Sequence, residues 1–111
     1  MPPARNDAER RAARWYRVRG YRILDTNAWA GGNELDLVAR RGGRLVFCEV
    51  KEKTGERFGD PADMVGPEKQ RRLRRAASAW LAARPDLAGL ELSFDVIAVY
   101  RGRLERIRDA F

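Results

Sequence analysis

The sequence predicts an α/β fold in the order helix-strand-strand-strand-helix-strand-strand. Three observations carry that prediction. Two segments repeat apolar residues at helical spacing: Ala8, Ala12, Trp15 and Tyr16, then Leu73, Ala76, Ala77, Trp80 and Leu81. Between them, Asn33–Val38 and Leu45–Lys51 read as short apolar strands joined at Gly42-Gly43, a two-residue hairpin signal. After the second helix, Ser93–Tyr100 reads as a buried strand.

Taken in order, residues 1–6 read as a flexible tail. Asp7 to Arg19 is helical in pattern, with Arg10, Arg11, Arg14 and Arg17 on its outer side. Gly20 follows as the residue that can adopt the left-handed backbone ending a helix. Tyr21–Asn27 alternates as a first strand, and Trp29–Asn33 reads as a turn. The hairpin occupies about 34–51, with both loop glycines expected at positive φ. Residues 52–67 contain Gly55, Gly59, Pro61, Gly66 and Pro67 without a clear period. They read as a long mobile loop, a kind more often functional than idle in a compact domain. Glu68 to Arg84 is the second helix; Pro67 suits its first turn and Pro85 stops it. Arg101-Gly102-Arg103 turns the chain into a short last strand, Leu104 to Arg108. Neither a repeat nor a linker divides the sequence, so 1–111 reads as one domain.

Composition narrows the chemistry. There are 23 Lys+Arg against 16 Asp+Glu, a formal charge of +7. The excess is mostly arginine, whose planar fork matches phosphate, so nucleic acid is the expected partner. Histidine is absent, which excludes histidine metal sites, Ser-His-Asp triads and Cys-His dyads. Hydrolysis would have to use carboxylates, lysine, metal and water. Cys48 is the sole cysteine, so no intramolecular disulfide forms, as suits a reducing cytoplasm. Met1–Asn6 lacks the apolar run of a signal peptide, and no apolar segment approaches bilayer length. A cytoplasmic location without membrane contact is expected.

The hairpin carries the sharpest signal. With Gly42 and Gly43 as its loop, Arg41 faces Arg44, Asp36 lies opposite Glu49, and Glu34 lies opposite Lys51. Side chains alternate along a strand, so these four acidic and basic residues share one face. Directly opposed residues have Cβ atoms about 5 Å apart, and two carboxylates at that distance repel. A hard divalent cation converts the repulsion into chelation. The adjacent lysine adds a positive donor, giving the makings of a metal-assisted phosphodiester site. On the second helix, Gln70 shares the side of Leu73, Ala77 and Leu81 and should face inward, while Lys69, Arg71, Arg72, Arg74 and Arg75 form a basic face. That face is either simply solvated or a clamp for a phosphate backbone. Cys48, on the opposite face from Glu49, is expected in the core, and Asp95 is expected to be structural.

This layout resembles the PD-(D/E)XK nuclease superfamily, whose restriction-endonuclease-like core is a mixed central sheet flanked by helices. Within it the chain looks most like the YraN-type family of small bacterial proteins, with archaeal Holliday-junction resolvases as similar relatives. The resemblance runs from about Asp7 to Phe111. It rests on Glu9 with Ala12 and Ala13, Gly20–Leu24, Glu34–Leu37, Val46–Lys51, Lys69-Gln70 with Ala76 and Ala77, Phe94–Val96, and Ala110-Phe111. Asn33 departs from it, standing where that family usually has glycine.

The resemblance implies an endonuclease that hydrolyses DNA phosphodiester bonds with Mg²⁺, or Mn²⁺ as a substitute, with branched DNA among the expected substrates. Asp36 and Glu49 would hold the metal, with the Val50 carbonyl as an extra ligand and Glu34 as either a ligand or a support for one. Lys51 would orient the attacking water or stabilise charge on the phosphate. Glu9 and Gln70 match residues that relatives place near the site. Lys69, Arg71, Arg72 and Arg75 would contact nucleic acid. Related resolvases act as dimers, and the apolar Tyr100, Leu104, Ile107 and Phe111 are candidates for a contact with a second copy. The alternative is a nucleic-acid-binding module in DNA processing with weak or lost catalysis.

Overall fold

The computed structural model describes residues 6–53 and 65–111. Helix α1 (Asp7–Val18) is followed by strands β1 (Arg22–Ala30), β2 (Asn33–Arg41) and β3 (Arg44–Lys53). Helix α2 (Pro67–Ala82) and a single 3₁₀ turn at Pro85–Leu87 lead to β4 (Glu91–Tyr100) and β5 (Arg103–Ile107). The predicted order of helix, three strands, helix and two strands is therefore the observed one. Asn6, assigned to the tail, caps α1: its Oδ1 accepts the Glu9 backbone N–H at 2.9 Å, satisfying a donor that the first turn leaves without a partner. Residues 1–5 of the expected tail and 54–64 of the expected loop lie outside the described residues. Of that loop, Glu52 and Lys53 extend β3, and Pro67 opens α2.

The five strands form one sheet in the order β1-β2-β3-β4-β5. The first three pair antiparallel, β3 and β4 pair parallel, and β5 returns antiparallel on β4. The sheet is thus mixed, because the passage through α2 brings β4 back alongside β3 in the same direction. Each helix covers one face. Ala8, Ala12, Ala13 and Tyr16 of α1 pack on Leu37, Ala39, Val46, Cys48, Ile97 and Val99. Leu73, Ala76, Ala77 and Trp80 of α2 pack on Val38, Leu45, Phe47, Phe94 and Val96. The alternation of β3 is legible here: Val46 and Cys48 serve the α1 layer, Leu45 and Phe47 the α2 layer.

Two turns differ from expectation. Trp29 lies within β1, 74% exposed, and the turn it was assigned to contracts to Gly31-Gly32, with φ of 56° and 78°. Both central residues of this hairpin are left-handed, so this loop, rather than Gly42-Gly43, has the backbone expected of a glycine pair. Asn33, with no positive φ, begins β2. At the second hairpin Arg41 faces Arg44 as expected, but only Gly42 has positive φ, 58°. Leu104 packs against the α1 layer, and Ile107 and Phe111 against the α2 layer. These apolar residues, considered for a second copy, are used at least in part by the chain's own core.

A buried polar network ties α1 to β4 and β5. Asp95 is fully buried and accepts from the Tyr16 hydroxyl at 2.6 Å, the Ser93 hydroxyl at 2.6 Å, the Arg106 Nε at 3.0 Å and the Asp109 backbone N–H at 3.2 Å. Burial and the neighbouring Cys48 and Asp95 push the Tyr16 hydroxyl far above its ordinary pKa. Asp95 is structural, as its sequence setting suggested.

Candidate metal centre

The site arises where the sheet splits. Ladder pairing between β2 and β3 runs from Arg41↔Arg44 to Leu37↔Cys48 and stops. Beyond that point β2 stays with β1 as far as Ala30↔Asn33, and β3 stays with β4 as far as Lys53↔Tyr100. The two strands part, and the Asp36 carboxylate takes over a main-chain role by accepting the Val50 N–H at 2.9 Å. The register that sets Asp36 opposite Glu49 and Glu34 opposite Lys51 is therefore correct in direction, but the pairs face across a cleft instead of a closed ladder. The cleft has a volume of about 330 Å³ and is lined by Asn6, Glu9, Asn33, Glu34, Asp36, Glu49, Val50, Lys51 and Lys69.

Three carboxylates converge in it. Glu9, Glu34 and Asp36 each offer one oxygen, and these oxygens lie within 4.8 Å of one another. Glu9 reaches the cleft because it lies on the inward side of α1 with Ala8, Ala12, Ala13 and Tyr16, and it is only 6% exposed. One of its oxygens, Oε2, accepts from Asn27 Nδ2 at 2.8 Å. The other, Oε1, is buried with no hydrogen-bond partner among the described residues. A buried carboxylate oxygen left without a donor costs free energy, and a cation is the partner that would relieve it. Three oxygen donors suit a hard divalent ion. This acidic group could hold a metal ion.

Glu49, expected among the ligands, faces a different set of groups. It is 5% exposed and paired with two ammonium groups, Lys69 in direct contact and Lys51 at 3.7 Å, both on Oε2. Its electrostatics are bound to those of Asp36. Burial, then the hydrogen bond and the charge of Glu49, push Asp36 up to about 8 from an ordinary 3.8. Burial works the same way on Glu49, but the hydrogen bond from Asp36 and the contacts with Lys69 and Lys51 outweigh it and hold Glu49 below the usual range. The two acids are thus pushed apart, Asp36 up and Glu49 down, which relieves the repulsion expected of opposed carboxylates. Lys69 opposes the penalty of its own burial through Glu49 and is raised. Lys51 is lowered, first by the neighbouring Lys69 amine and then by burial.

The remaining assignments divide. Val50 lines the cleft, its N–H committed to Asp36. Gln70 is half-buried, and its Nε2 donates to the Val65 carbonyl at 2.9 Å; it is not among the cleft-lining residues. Arg71, Arg72 and Arg75 are exposed along α2, with Arg72 in a loose pair with Glu68 at 3.9 Å. Lys69, grouped with them in the sequence, turns inward instead. Asn27 is a site residue that periodicity misses. Its φ of 51°, within β1, accompanies the contact with Glu9. The available signal is weak: asparagine is among the few residues that adopt this conformation readily.

Comparison with known proteins identifies the lineage of this arrangement. The chain matches the Uncharacterised protein family UPF0102 over residues 8–99, a span containing every cleft residue except Asn6. The chain belongs to the UPF0102 family. UPF0102 relatives are similar along nearly the whole chain. A UPF0102 protein of Maricaulis maris strain MCS10 is 41% identical, covering 99% of this chain and 91% of its own. One from Frankia casuarinae is 45% identical, covering 90% and 88%. One from Bordetella avium is 43% identical, covering 94% and 71%.

Proposed function

We propose that this UPF0102 protein is a Mg²⁺-dependent endonuclease of the PD-(D/E)XK type that hydrolyses DNA phosphodiester bonds. One observation carries the reading: Asp36, Glu49 and Lys51, from two strands that part, meet Glu9 and Glu34 in a single cleft. Carboxylates and lysine are the groups that hydrolysis must use in a chain without histidine. Glu9, Glu34 and Asp36 would hold the ion. A bound divalent cation polarises a phosphate oxygen and lowers the pKa of its water.

The protein's own groups do the rest. Lys51 presents an ammonium at the cleft wall, where it would stabilise the charge that builds on the phosphate. Glu49 fixes Lys51 from a buried position. The exposed arginines Arg71, Arg72 and Arg75 continue from the cleft along α2. They would contact the backbone, giving affinity with little sequence preference.

The test is cleavage of linear, flapped and four-way DNA with Mg²⁺ or Mn²⁺. Metal-dependent cuts are expected, with Lys51→Ala slowing them by about 100-fold or more while leaving Mn²⁺ binding in place. DNA binding without cleavage on all three substrates would replace this reading with that of a binding module.

A further inference from the structure

Lys69 occupies an unusual position for a residue of a basic helix. It stands at the start of α2, next to arginines that face solvent, yet its ammonium contacts the buried Glu49 carboxylate. Lys51 approaches the same oxygen, Oε2, at 3.7 Å. One carboxylate oxygen therefore faces two ammonium groups, more positive charge than it needs for neutrality. The excess is balanced across the cleft. Among the described residues that line it, the charged groups are Glu9, Glu34, Asp36, Glu49, Lys51 and Lys69. Once a bound ion has displaced the proton that Asp36 favours, four negative charges meet two positive ones, and the remainder equals the charge of one divalent ion.

The acids also divide in space. Glu9, Glu34 and Asp36 form the convergent group. Glu49, hydrogen-bonded to Asp36 but outside that group, is the one that lysine contacts. An ion placed between Asp36 and Glu49, the position the strand register favours, would meet the Lys69 ammonium.

We propose that Lys69 is a tethered cation occupying the second cation position of this site, so that the centre takes a single divalent ion, at Glu9, Glu34 and Asp36. The inference rests on the metal centre proposed above and assigns Lys69 to the acidic cleft, not to the phosphate-binding surface. A side-chain ammonium is held by the chain at all times and cannot be diluted away. The site is then completed by one captured ion instead of two. Lys69 is a positioning residue in this scheme: it fixes the charge and orientation of Glu49, and through Glu49 those of Lys51.

The test is the stoichiometry of Mn²⁺ binding by calorimetry on the intact protein without nucleic acid, so its outcome is independent of whether DNA is cut. Wild type is expected to bind one ion per chain. Lys69→Met, which removes the charge and keeps the bulk, is expected to bind two, the second between Asp36 and Glu49. Lys69→Gln provides the same comparison should the methionine variant fail to fold. Lys69→Arg, which keeps a cation there, is expected to remain at one. Two ions in wild type, or one ion in both neutral variants, overturns the inference while leaving the nuclease reading standing. No Mn²⁺ binding by wild type removes the metal centre and this inference together.

Discussion

At the scale of single residues, the site is governed by how neighbouring carboxylates are kept close. Asp36 is the pivot. It is backed by the Val50 N–H, opposed by Glu49, and raised to about 8. An acid whose folded value lies above its unfolded value stabilises the fold while protonated. The contribution is complete below about pH 4, near the ordinary 3.8, and is lost as pH rises through about 8. Metal-free protein should therefore lose thermal stability across that window, and Asp36→Asn, neutral throughout, should flatten the loss. Melting curves in chelator at a series of pH values check this. Mn²⁺ competes with the same proton, so its affinity should rise over that range and level off above it. Melting of wild type and variant that runs parallel at every pH would show that Asp36 does not hold the proton.

At the scale of elements, close packing of the Gly31-Gly32 turn on α2 bears on the strand that carries Glu34. Gly31 ends β1, and the hairpin it turns carries Glu34. A Cβ there would lie 3.0 Å from the Arg75 carbonyl oxygen and 3.2 Å from the Ala76 Cα, both backbone atoms of α2. Its φ of 56° is also left-handed. Gly31→Ala therefore combines backbone strain with a clash that only movement of the hairpin or helix can relieve. A loss of about 2 kcal/mol in denaturant unfolding is expected, with weaker Mn²⁺ binding because Glu34 moves with the hairpin. A variant of unchanged stability would mean that the hairpin and α2 are not in contact.

Elements were also where sequence was most informative. The helix stripes and the Arg41↔Arg44 register follow from period and turn chemistry, both local properties. The parting of β2 and β3 was not legible, because it depends on the Asp36 carboxylate replacing a backbone partner. Nor was the inward turn of Lys69, since a lysine beside arginines on a helix carries no local sign of a buried acid on β3. Glu9 did carry a sign in the sequence. It occupies the stripe of Ala8, Ala12 and Tyr16, and a carboxylate on an apolar stripe requires a partner.

At the scale of the whole molecule, the three layers place the functional groups at one end of the sheet, with both helices contributing from their first turns. Glu9 lies in the first turn of α1, and Lys69 near the start of α2. The Asp95 network lies apart, joining α1 to β4 and β5. Stability and the proposed chemistry thus fall to separate acids: the buried Asp95, fully supplied with donors, and a group of three with one buried oxygen left over. A chain of net charge +7 thus carries an acidic cleft, with the exposed Arg71, Arg72 and Arg75 on the helix that supplies Lys69. That distribution suits a polyanion held by its backbone with a cation beneath it.

The central claim is that the acidic group holds the ion that makes the protein cut DNA. The most direct measurement follows Mn²⁺ binding and DNA cleavage together in wild type and Asp36→Asn, at protein concentrations that saturate the DNA. The account predicts that the variant still binds DNA through its unchanged basic surface, loses measurable Mn²⁺ binding, and loses cleavage with it. Cleavage by Asp36→Asn at the wild-type rate, or the absence of metal-dependent cleavage by the wild type, would contradict it.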